Sequence, residues 1–352
     1  MIQSVIFDIQ QKLNNKEITC LELVQDKINA LKQANDNATN LILEQEAIEK
    51  AKLIDAKIAR GEKLALLEGV PFGVKDVFLL QNTISTASSN ILKNYLSPYS
   101  ATAIQRLIDA GAIPVAKENC DAFGHGSTNE NSVFGAVKNA LDSTKVSGGS
   151  SGGSAVNVAK NNTVFSIGGD TGGSIRQPAA FTGIYGLYPT YGAISRWGLI
   201  AFASSFDQIG PFTSSVSDMC LLMNCITGKD ENDASMAQIE ALNIHLTEEN
   251  KPLKIAYIND CVNHEGLEKS IQTKTFEFIE ALKEKGHSLT PIDFPYLDQM
   301  VPCYQILTTA EASSNLSRFS GLTYGNRSNN ATDLESMYKT TRSEGFGAEV
   351  KR

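Results

Sequence analysis

Histidine is scarce in this chain of 352 residues, which holds four histidines, one tryptophan and ten prolines. Its cysteines form no CxxC pair, and none has the spacing to histidine that a zinc site requires. The pattern therefore predicts reduced, mostly buried thiols and neither a metal site nor a disulfide framework. The six positions are Cys20, Cys120, Cys220, Cys225, Cys261 and Cys303.

The sequence also lacks any apolar run approaching the ~20 residues of a membrane helix. Its first residues, "MIQSVIFDIQQKLNNKE", have neither the basic region nor the cleavage site of a signal peptide. Acidic residues outnumber lysine and arginine by 39 to 31, which gives a formal net charge of −8. That balance argues against a broad nucleic-acid-binding face. We expect a cytoplasmic protein that makes no contact with a membrane.

Hydrophobic residues, in contrast, make up 42% of the chain, enough for a large buried core. Residues 1–60 carry helical patterns, and one of them opens with a capping box at Thr19–Glu22. Further along, helical patterns alternate with short apolar runs, most clearly over residues 253–295. The sequence predicts an N-terminal helical segment over residues 1–60 and an α/β domain over residues 61–352.

Glycine and serine are concentrated in two tracts, "SGGSSGGSA" (147–155) and "GGDTGGSIRQPAA" (168–180). A flexible linker would have polar flanks, whereas the residues between the tracts predict a short helix and an apolar strand. A phosphate cradle is a second interpretation, but the GK[ST] ending of a P-loop and the GxGxxG of a dinucleotide fold are absent. We favour a nucleophile site, because glycines let backbone N–H groups converge on a carbonyl oxygen.

Ser174 is the candidate nucleophile, since it ends a glycine turn at the point where a helical pattern begins. The backbone amides of Thr171, Gly172 and Gly173, together with that of Ser174, would then form an oxyanion hole.

A serine nucleophile also needs a base. Of the four histidines, only His125, in "FGHGSTNENS", lies in a segment that could line a pocket, and no companion acid is evident beside it. A lysine made neutral by burial is the alternative base. Lys75, within the apolar run "VPFGVKDVF", is the natural candidate.

The combination of "GVPFGVKD", "GGSSGGSA" and "GGDTGGSIRQPAA" resembles the amidase signature family of serine hydrolases. The resemblance extends from near residue 10 to the last residue. It implies an α/β fold with a large, mixed, twisted central sheet covered by helices on both faces. It also implies a Ser-cisSer-Lys triad, in which Lys75 is the base, Ser150 follows a cis peptide bond and relays the proton, and Ser174 is the nucleophile.

The same resemblance implies supporting roles around the triad. Ser151 and Asp170 would hold the triad through hydrogen bonds, and Arg176 would pair with Asp170. Three further residues would form the wall of the substrate pocket: Gly126, Ser127 and Tyr304.

Within the family, "NCDAFGHGSTNENSVFGAVKN" and "EASSNLSRFSGLTYG" are similar to the glutaminase subunits of tRNA-dependent amidotransferases. In that branch the glutaminase subunit frees ammonia for converting Glu-tRNA(Gln), or Asp-tRNA(Asn), to the amidated form. A B subunit binds the tRNA and uses ATP and Mg, and a small C subunit braces the pair. The resemblance thus implies glutamine as substrate, B and C subunits as partners, and no cofactor in this chain.

Two features depart from that branch. His125 stands where methionine is usual, and the branch continues beyond the position of Arg352 with groups that hold both ends of glutamine. We therefore expect this chain to lack the C-terminal part of the family domain. Two alternatives stay open: a stand-alone amidase for another small amide, and a truncated, inactive homologue that serves as a binding or scaffold chain.

Overall fold

The computed structural model describes residues 4–236, 240–246 and 251–352. Contacts divide the chain into two units, one of Met1–His245 with Glu311–Arg352 and one of Leu246–Ala310. No helix in the described ranges is long and apolar enough to cross a membrane.

Residues 4–60, predicted as an N-terminal helical segment, lie in the same unit as the central sheet. The capping box at their second helix is present, with both the Thr19 and Glu22 side chains bonded to backbone N–H groups. Ile6 and Val24 are fully buried in the same apolar core as Phe72 of the central sheet. The helices of this segment thus bury their apolar faces against the central sheet, which makes the segment part of the first unit. It contains α1 (Val5–Asn14), α2 (Cys20–Gln33), β1 (Thr39–Ile42) and α3 (Glu44–Ala59).

One mixed sheet of six strands forms the centre of the first unit, as the family resemblance implied. Three central strands are parallel, and antiparallel strands flank them on both sides. The spatial order is β1, β3 (Ile113–Glu118), β2 (Pro71–Lys75), β4 (Phe165–Asp170), β6 (Gln208–Thr213) and β5 (Tyr185–Gly186). The remaining helices of the unit are α4 (Thr102–Asp109), α5 (Gly152–Ala159), α6 (Arg176–Thr182), α7 (Val216–Ile226), α11 (Leu334–Gly345) and α12 (Ala348–Lys351).

Every residue of β2, β3, β4 and β6 is buried, as expected for strands covered on both faces. Phe72 and Phe165 stack across β2 and β4, with ring centroids 5.1 Å apart. Because β2 and β4 are parallel, their carboxyl ends, Lys75 and Asp170, emerge at the same edge of the sheet. The candidate site lies at that edge, which is where open α/β sheets commonly bind ligands.

The second unit contains the alternating pattern predicted for residues 253–295. Its strands β7 (Lys254–Ile258) and β8 (Ser288–Ile292) are parallel and pair residue by residue from Lys254 with Ser288 to Ile258 with Ile292. A helical connection links them, in agreement with the sequence. It consists of α8 (Asn259–Val262) and α9 (Lys269–Glu284), and α10 (Leu297–Leu316) begins in this unit after β8.

Glu118, at the end of β3, is a fully buried carboxyl group. Its Oε1 accepts hydrogen bonds from Ser166 Oγ at 2.8 Å and Asn157 Nδ2 at 3.2 Å. Burial raises its pKa from 4.5 to about 7, although these hydrogen bonds act in the opposite direction.

A pH dependence of stability follows from Glu118. Its native pKa lies above its unfolded pKa, so its contribution is full below pH 4.5 and is lost as the pH rises through about 7. Across that interval the loss amounts to roughly 2–3 kcal/mol of unfolding free energy. We expect Glu118→Gln to remove this part of the pH dependence in urea unfolding at pH 5 and pH 7. Equal pH dependence in both proteins would contradict the assignment.

Candidate active site

The predicted triad residues come from three neighbouring segments of the first unit. Lys75 ends β2, Ser150 lies in the first glycine-serine tract just before α5, and Ser174 lies between β4 and α6. The Gly149–Ser150 peptide bond is cis, as the family resemblance implied.

The Lys75 amine is buried and aimed at Ser150. Its Nζ donates hydrogen bonds to Ser150 Oγ at 2.7 Å and to the Gly169 carbonyl oxygen at 3.2 Å. Burial lowers the pKa of Lys75, and the Cys120 thiol with three nearby carboxylates acts against that shift. A lysine in such surroundings is suited to accept a proton, because the neutral amine costs less to bury than the ammonium.

Ser174 is a buried residue, with 8% of its surface exposed. Its carbonyl oxygen accepts a hydrogen bond from the Ser151 N–H at 3.2 Å, which joins the two glycine-serine tracts. Within the described part of the chain, no hydrogen bond connects the Ser174 hydroxyl with Ser150. Transfer of the Ser174 proton through Ser150 therefore stays a prediction.

The turn before Ser174 is organised by the Asp170 carboxylate. It accepts hydrogen bonds from the N–H groups of Gly173 at 2.7 Å and Ile175 at 3.0 Å. Arg176 donates to both carboxylate oxygens at 3.0 Å, which is the pair that the family resemblance implied. Burial alone would raise the pKa of Asp170, but these donors outweigh it and lower the pKa. Asp170 therefore stays ionised and fixes the backbone on both sides of Ser174.

One predicted oxyanion donor is engaged elsewhere in the structure. The Gly173 N–H points at Asp170 Oδ1, so this amide is already committed to a carboxylate. Its φ of +127° is accessible mainly to glycine and turns the peptide toward Asp170. The candidate oxyanion donors become the N–H groups of Thr171, Gly172 and Ser174.

The Ser151 side chain bonds to a backbone carbonyl group and not to the side chain of a triad residue. Its Oγ donates to the Gly169 carbonyl oxygen at 3.0 Å, the same oxygen that accepts from Lys75 Nζ. Ser151 thus fixes a common partner of the lysine amine.

Asp207 is a site residue that sequence analysis missed. Its Oδ1 accepts a hydrogen bond from Thr171 Oγ1 at 2.6 Å, and its Oδ2 accepts from the Phe202 N–H at 2.9 Å. Burial raises the pKa of Asp207 despite these donors. The carboxyl group ties the loop of Phe202 to the candidate oxyanion turn. The sequence signal that could have indicated Asp207 is the position of an acidic residue directly before strand β6.

A cavity of about 20 Å³ lies beside Lys75 and Ser150, and Gly124, Phe202 and Thr171 contribute to its wall. The predicted pocket residues Gly126 and Ser127 follow Gly124 along the chain and are exposed.

The backbone near the predicted pocket residues is closely packed. The Ser127 carbonyl oxygen accepts a hydrogen bond from the Gly149 N–H at 2.8 Å. A Cβ on Gly126 would lie 2.4 Å from the carboxyl carbon of Asp121, so this position requires glycine.

Tyr304 lies on the part of α10 that belongs to the second unit. Its carbonyl oxygen accepts a hydrogen bond from Thr308 Oγ1 at 2.7 Å. Its role in the substrate pocket stays a prediction.

In the described ranges, no cluster of three or more His, Cys, Asp or Glu side chains is arranged to hold a metal ion.

Known proteins resemble this chain along nearly all of its length. Residues 19–352 match the amidase family. The glutamyl-tRNA(Gln) amidotransferase A subunit from Thermoanaerobacter pseudethanolicus is 41% identical over 351 residues, which cover 99% of this chain and 72% of the relative. The corresponding protein from Prochlorococcus marinus is 42% identical over 349 residues, with 98% and 72% covered.

A solved structure of an amidotransferase A subunit is also similar to this chain. The crystal structure of the glutamyl-tRNA(Gln) amidotransferase A subunit from Thermotoga maritima superposes with a TM-score of 0.76 at 34% identity. The match covers 85% of this chain and 66% of that one, so this chain spans about two thirds of the solved protein. With a family match over residues 19–352, this chain belongs to the amidase family.

Proposed function

We propose that this chain is the glutamine-hydrolysing subunit of a tRNA-dependent amidotransferase. The observation that carries the proposal is the 2.7 Å hydrogen bond from the buried Lys75 amine to Ser150, beside the Ser174 turn. The similarity to amidotransferase A subunits selects glutamine among the amides that such a site could hydrolyse.

In the proposed reaction, Ser174 Oγ attacks the side-chain amide carbon of glutamine. Its proton passes to Ser150 Oγ while the Ser150 proton passes to the neutral Lys75 amine. The N–H groups of Thr171, Gly172 and Ser174 stabilise the oxyanion, an interaction that strengthens as charge develops on the oxygen.

Collapse of the tetrahedral intermediate breaks the carbon–nitrogen bond. The proton held by Lys75 returns through Ser150 to the leaving nitrogen, which departs as ammonia. Water then attacks the ester on Ser174 with the same groups as general base, and glutamate leaves. Each half-reaction ends with Lys75 neutral, so the cycle needs no cofactor in this chain.

The proposed assembly places the remaining chemistry in partner subunits. A B subunit would bind the aminoacyl-tRNA and use ATP and Mg to activate its misattached Glu or Asp, and a C subunit would brace the pair. The net charge of −8 on this chain is consistent with leaving the tRNA to a partner.

The test is ammonia release from glutamine by this chain, alone and co-expressed with B and C subunits, with Ser174→Ala as the blank. We expect release that depends on Ser174. Ser174-dependent release from other small amides but not from glutamine would favour the stand-alone amidase. No release from any amide by a folded wild-type chain would overturn the proposal and favour the scaffold alternative.

A further inference from the structure

Gln177 is the second residue of α6 and follows closely after the candidate nucleophile. Its backbone N–H donates to the Gly173 carbonyl oxygen at 2.8 Å, so the residue is fixed to the turn that carries Ser174. Its side chain extends to the other glycine-serine tract, where it meets the backbone just before Ser150. Gln177 therefore connects the segment of the nucleophile with the segment of the proposed proton relay.

The end of the Gln177 side chain bridges two backbone carbonyl groups. Its terminal amide lies 2.6 Å from the Ser127 carbonyl oxygen and 3.0 Å from the Gly149 carbonyl oxygen. Two acceptors can be joined only by a donor, so the amide nitrogen Nε2 faces them and supplies one hydrogen to each. The Gly149 N–H donates to the same Ser127 oxygen at 2.8 Å, which closes a small hydrogen-bond network.

The carbonyl group of Gly149 depends on this contact. Gly149 is buried, and among the residues that the structure describes no other group donates to its carbonyl oxygen. A buried carbonyl group that loses its donor is destabilised in that orientation. Removal of the Gln177 amide would therefore favour other orientations of the peptide group between Gly149 and Ser150.

The backbone of the tract is closely packed on both sides of that peptide group. A Cβ on Gly148 would lie 2.9 Å from Pro178 Cα in α6, and a Cβ on Gly149 would lie 2.4 Å from Asp121 Oδ2. The Asp121 N–H also donates to the Ser150 carbonyl oxygen at 3.1 Å. Gln177 adds the hydrogen bond that joins α6 to this tightly held stretch of backbone.

The position of that backbone determines the geometry of the proton relay. Ser150 Oγ accepts a hydrogen bond at 2.7 Å from Nζ of Lys75, which is held in β2. A rotation of the preceding peptide group moves Ser150 while the lysine stays in the sheet. Displacements of about 1 Å in a catalytic group can cost roughly 10²-fold in rate.

We infer that Gln177 is a positioning residue for the proposed hydrolysis. Its side-chain amide fixes the Gly149 carbonyl group and thereby holds Ser150 Oγ against the Lys75 amine. Gln177 acts through Ser150 and takes no part in the bond-making steps. The inference rests on the proposed function for the roles of Ser150 and Ser174.

The experiment measures how fast a fluorophosphonate labels Ser174. The Ser174 oxygen bonds to phosphorus, fluoride leaves, and the hydroxyl proton passes to the base, so the rate reports activation of the nucleophile. Gln177→Met keeps an unbranched side chain but removes the donor, and we expect it to slow labelling roughly 10²-fold. Gln45→Met, at an exposed glutamine of α3, is the matched control and should be labelled at the wild-type rate.

Combination with Ser150→Ala distinguishes positioning from a general structural role. If Gln177 acts through Ser150, the doubly substituted protein should be labelled as fast as Ser150→Ala alone, within about twofold. A further slowing by the same factor as in the wild-type background would overturn the inference.

Two other substitutions at the same position test the hydrogen bond itself. Gln177→Lys restores a donor and should recover part of the rate that Gln177→Met loses, whereas equal rates in these two variants would contradict the inference. Gln177→Glu keeps the shape of the side chain and removes the donor, so it replaces Gln177→Met if that protein does not unfold cooperatively.

Because labelling uses no glutamine, the two proposals can fail separately. The expected labelling pattern without ammonia release from glutamine would support the inference and count against the proposed function. Ammonia release from glutamine with equal kcat in wild type and Gln177→Met would overturn the role of Gln177 and leave the proposed function intact. A folded wild-type chain that is not labelled at Ser174 would also overturn the inference.

Discussion

Replacing Lys75 with methionine is expected to lower kcat/KM for glutamine hydrolysis by roughly 10²–10⁴-fold, the usual contribution of a general base. Methionine keeps an unbranched apolar side chain and removes only the amine that donates to Ser150 Oγ at 2.7 Å. Steady-state ammonia release measures the effect. Lys229→Ala, which removes an exposed lysine paired with Glu240, is the control and should leave activity unchanged.

The pH dependence of the wild-type reaction identifies the protonation state of that lysine. The proposed base acts as the neutral amine, so kcat/KM should fall as the pH drops through the Lys75 pKa. Burial lowers this pKa from the 10.5 of an ordinary lysine. As the pH rises, kcat/KM should therefore reach its upper plateau before pH 10.5.

Activity of a folded Lys75→Met protein within tenfold of wild type would rule out Lys75 as the base.

A large loss of stability is expected from Lys117→Ala. Lys117 is fully buried, and its Nζ lies 3.2 Å from Asp76 Oδ1. It also donates to Ser85 Oγ at 2.9 Å and to the Phe78 carbonyl oxygen. Removal of the cation leaves Asp76 buried without its counter-charge, which costs about 3–5 kcal/mol of unfolding free energy. Urea unfolding at constant pH measures the change.

Two further variants test the cause of that loss. Asp76→Asn combined with Lys117→Ala should recover part of the stability, because the uncompensated charge is gone. Lys339→Ala, in an exposed pair with Glu335, should cost no more than about 1 kcal/mol. A loss in Lys117→Ala as small as that of Lys339→Ala would contradict the importance of the buried pair.

Sequence patterns predicted local features well where the determining residues are close together in the chain. The capping box at Thr19 and the helix–strand alternation of residues 253–295 are both present. The contact between Lys75 and Ser150 spans 75 residues and depends on how the chain folds around β2 and β4. Only the family resemblance, which concerns long-range geometry, could indicate it.

Neither the sequence patterns nor the family resemblance could predict two other details of the site. The Gly173 N–H donates to Asp170 because of the orientation of one peptide group. Glycine allows several backbone orientations, so the sequence does not determine this one. The role of Asp207 depends on a side-chain contact with Thr171, 36 residues away. The packing of α1 and α2 on the central sheet was also not predictable, because amphipathic helices alone do not reveal which surface they cover.

The stacked rings of Phe72 and Phe165 have a consequence for heat inactivation. They join the two strands whose ends carry Lys75 and Asp170, so the separation of base and nucleophile turn is set inside the apolar core. The ends of β2 and β4 therefore cannot move apart while these rings stay packed in the core. Loss of activity on heating should coincide with cooperative melting of the first unit, rather than precede it.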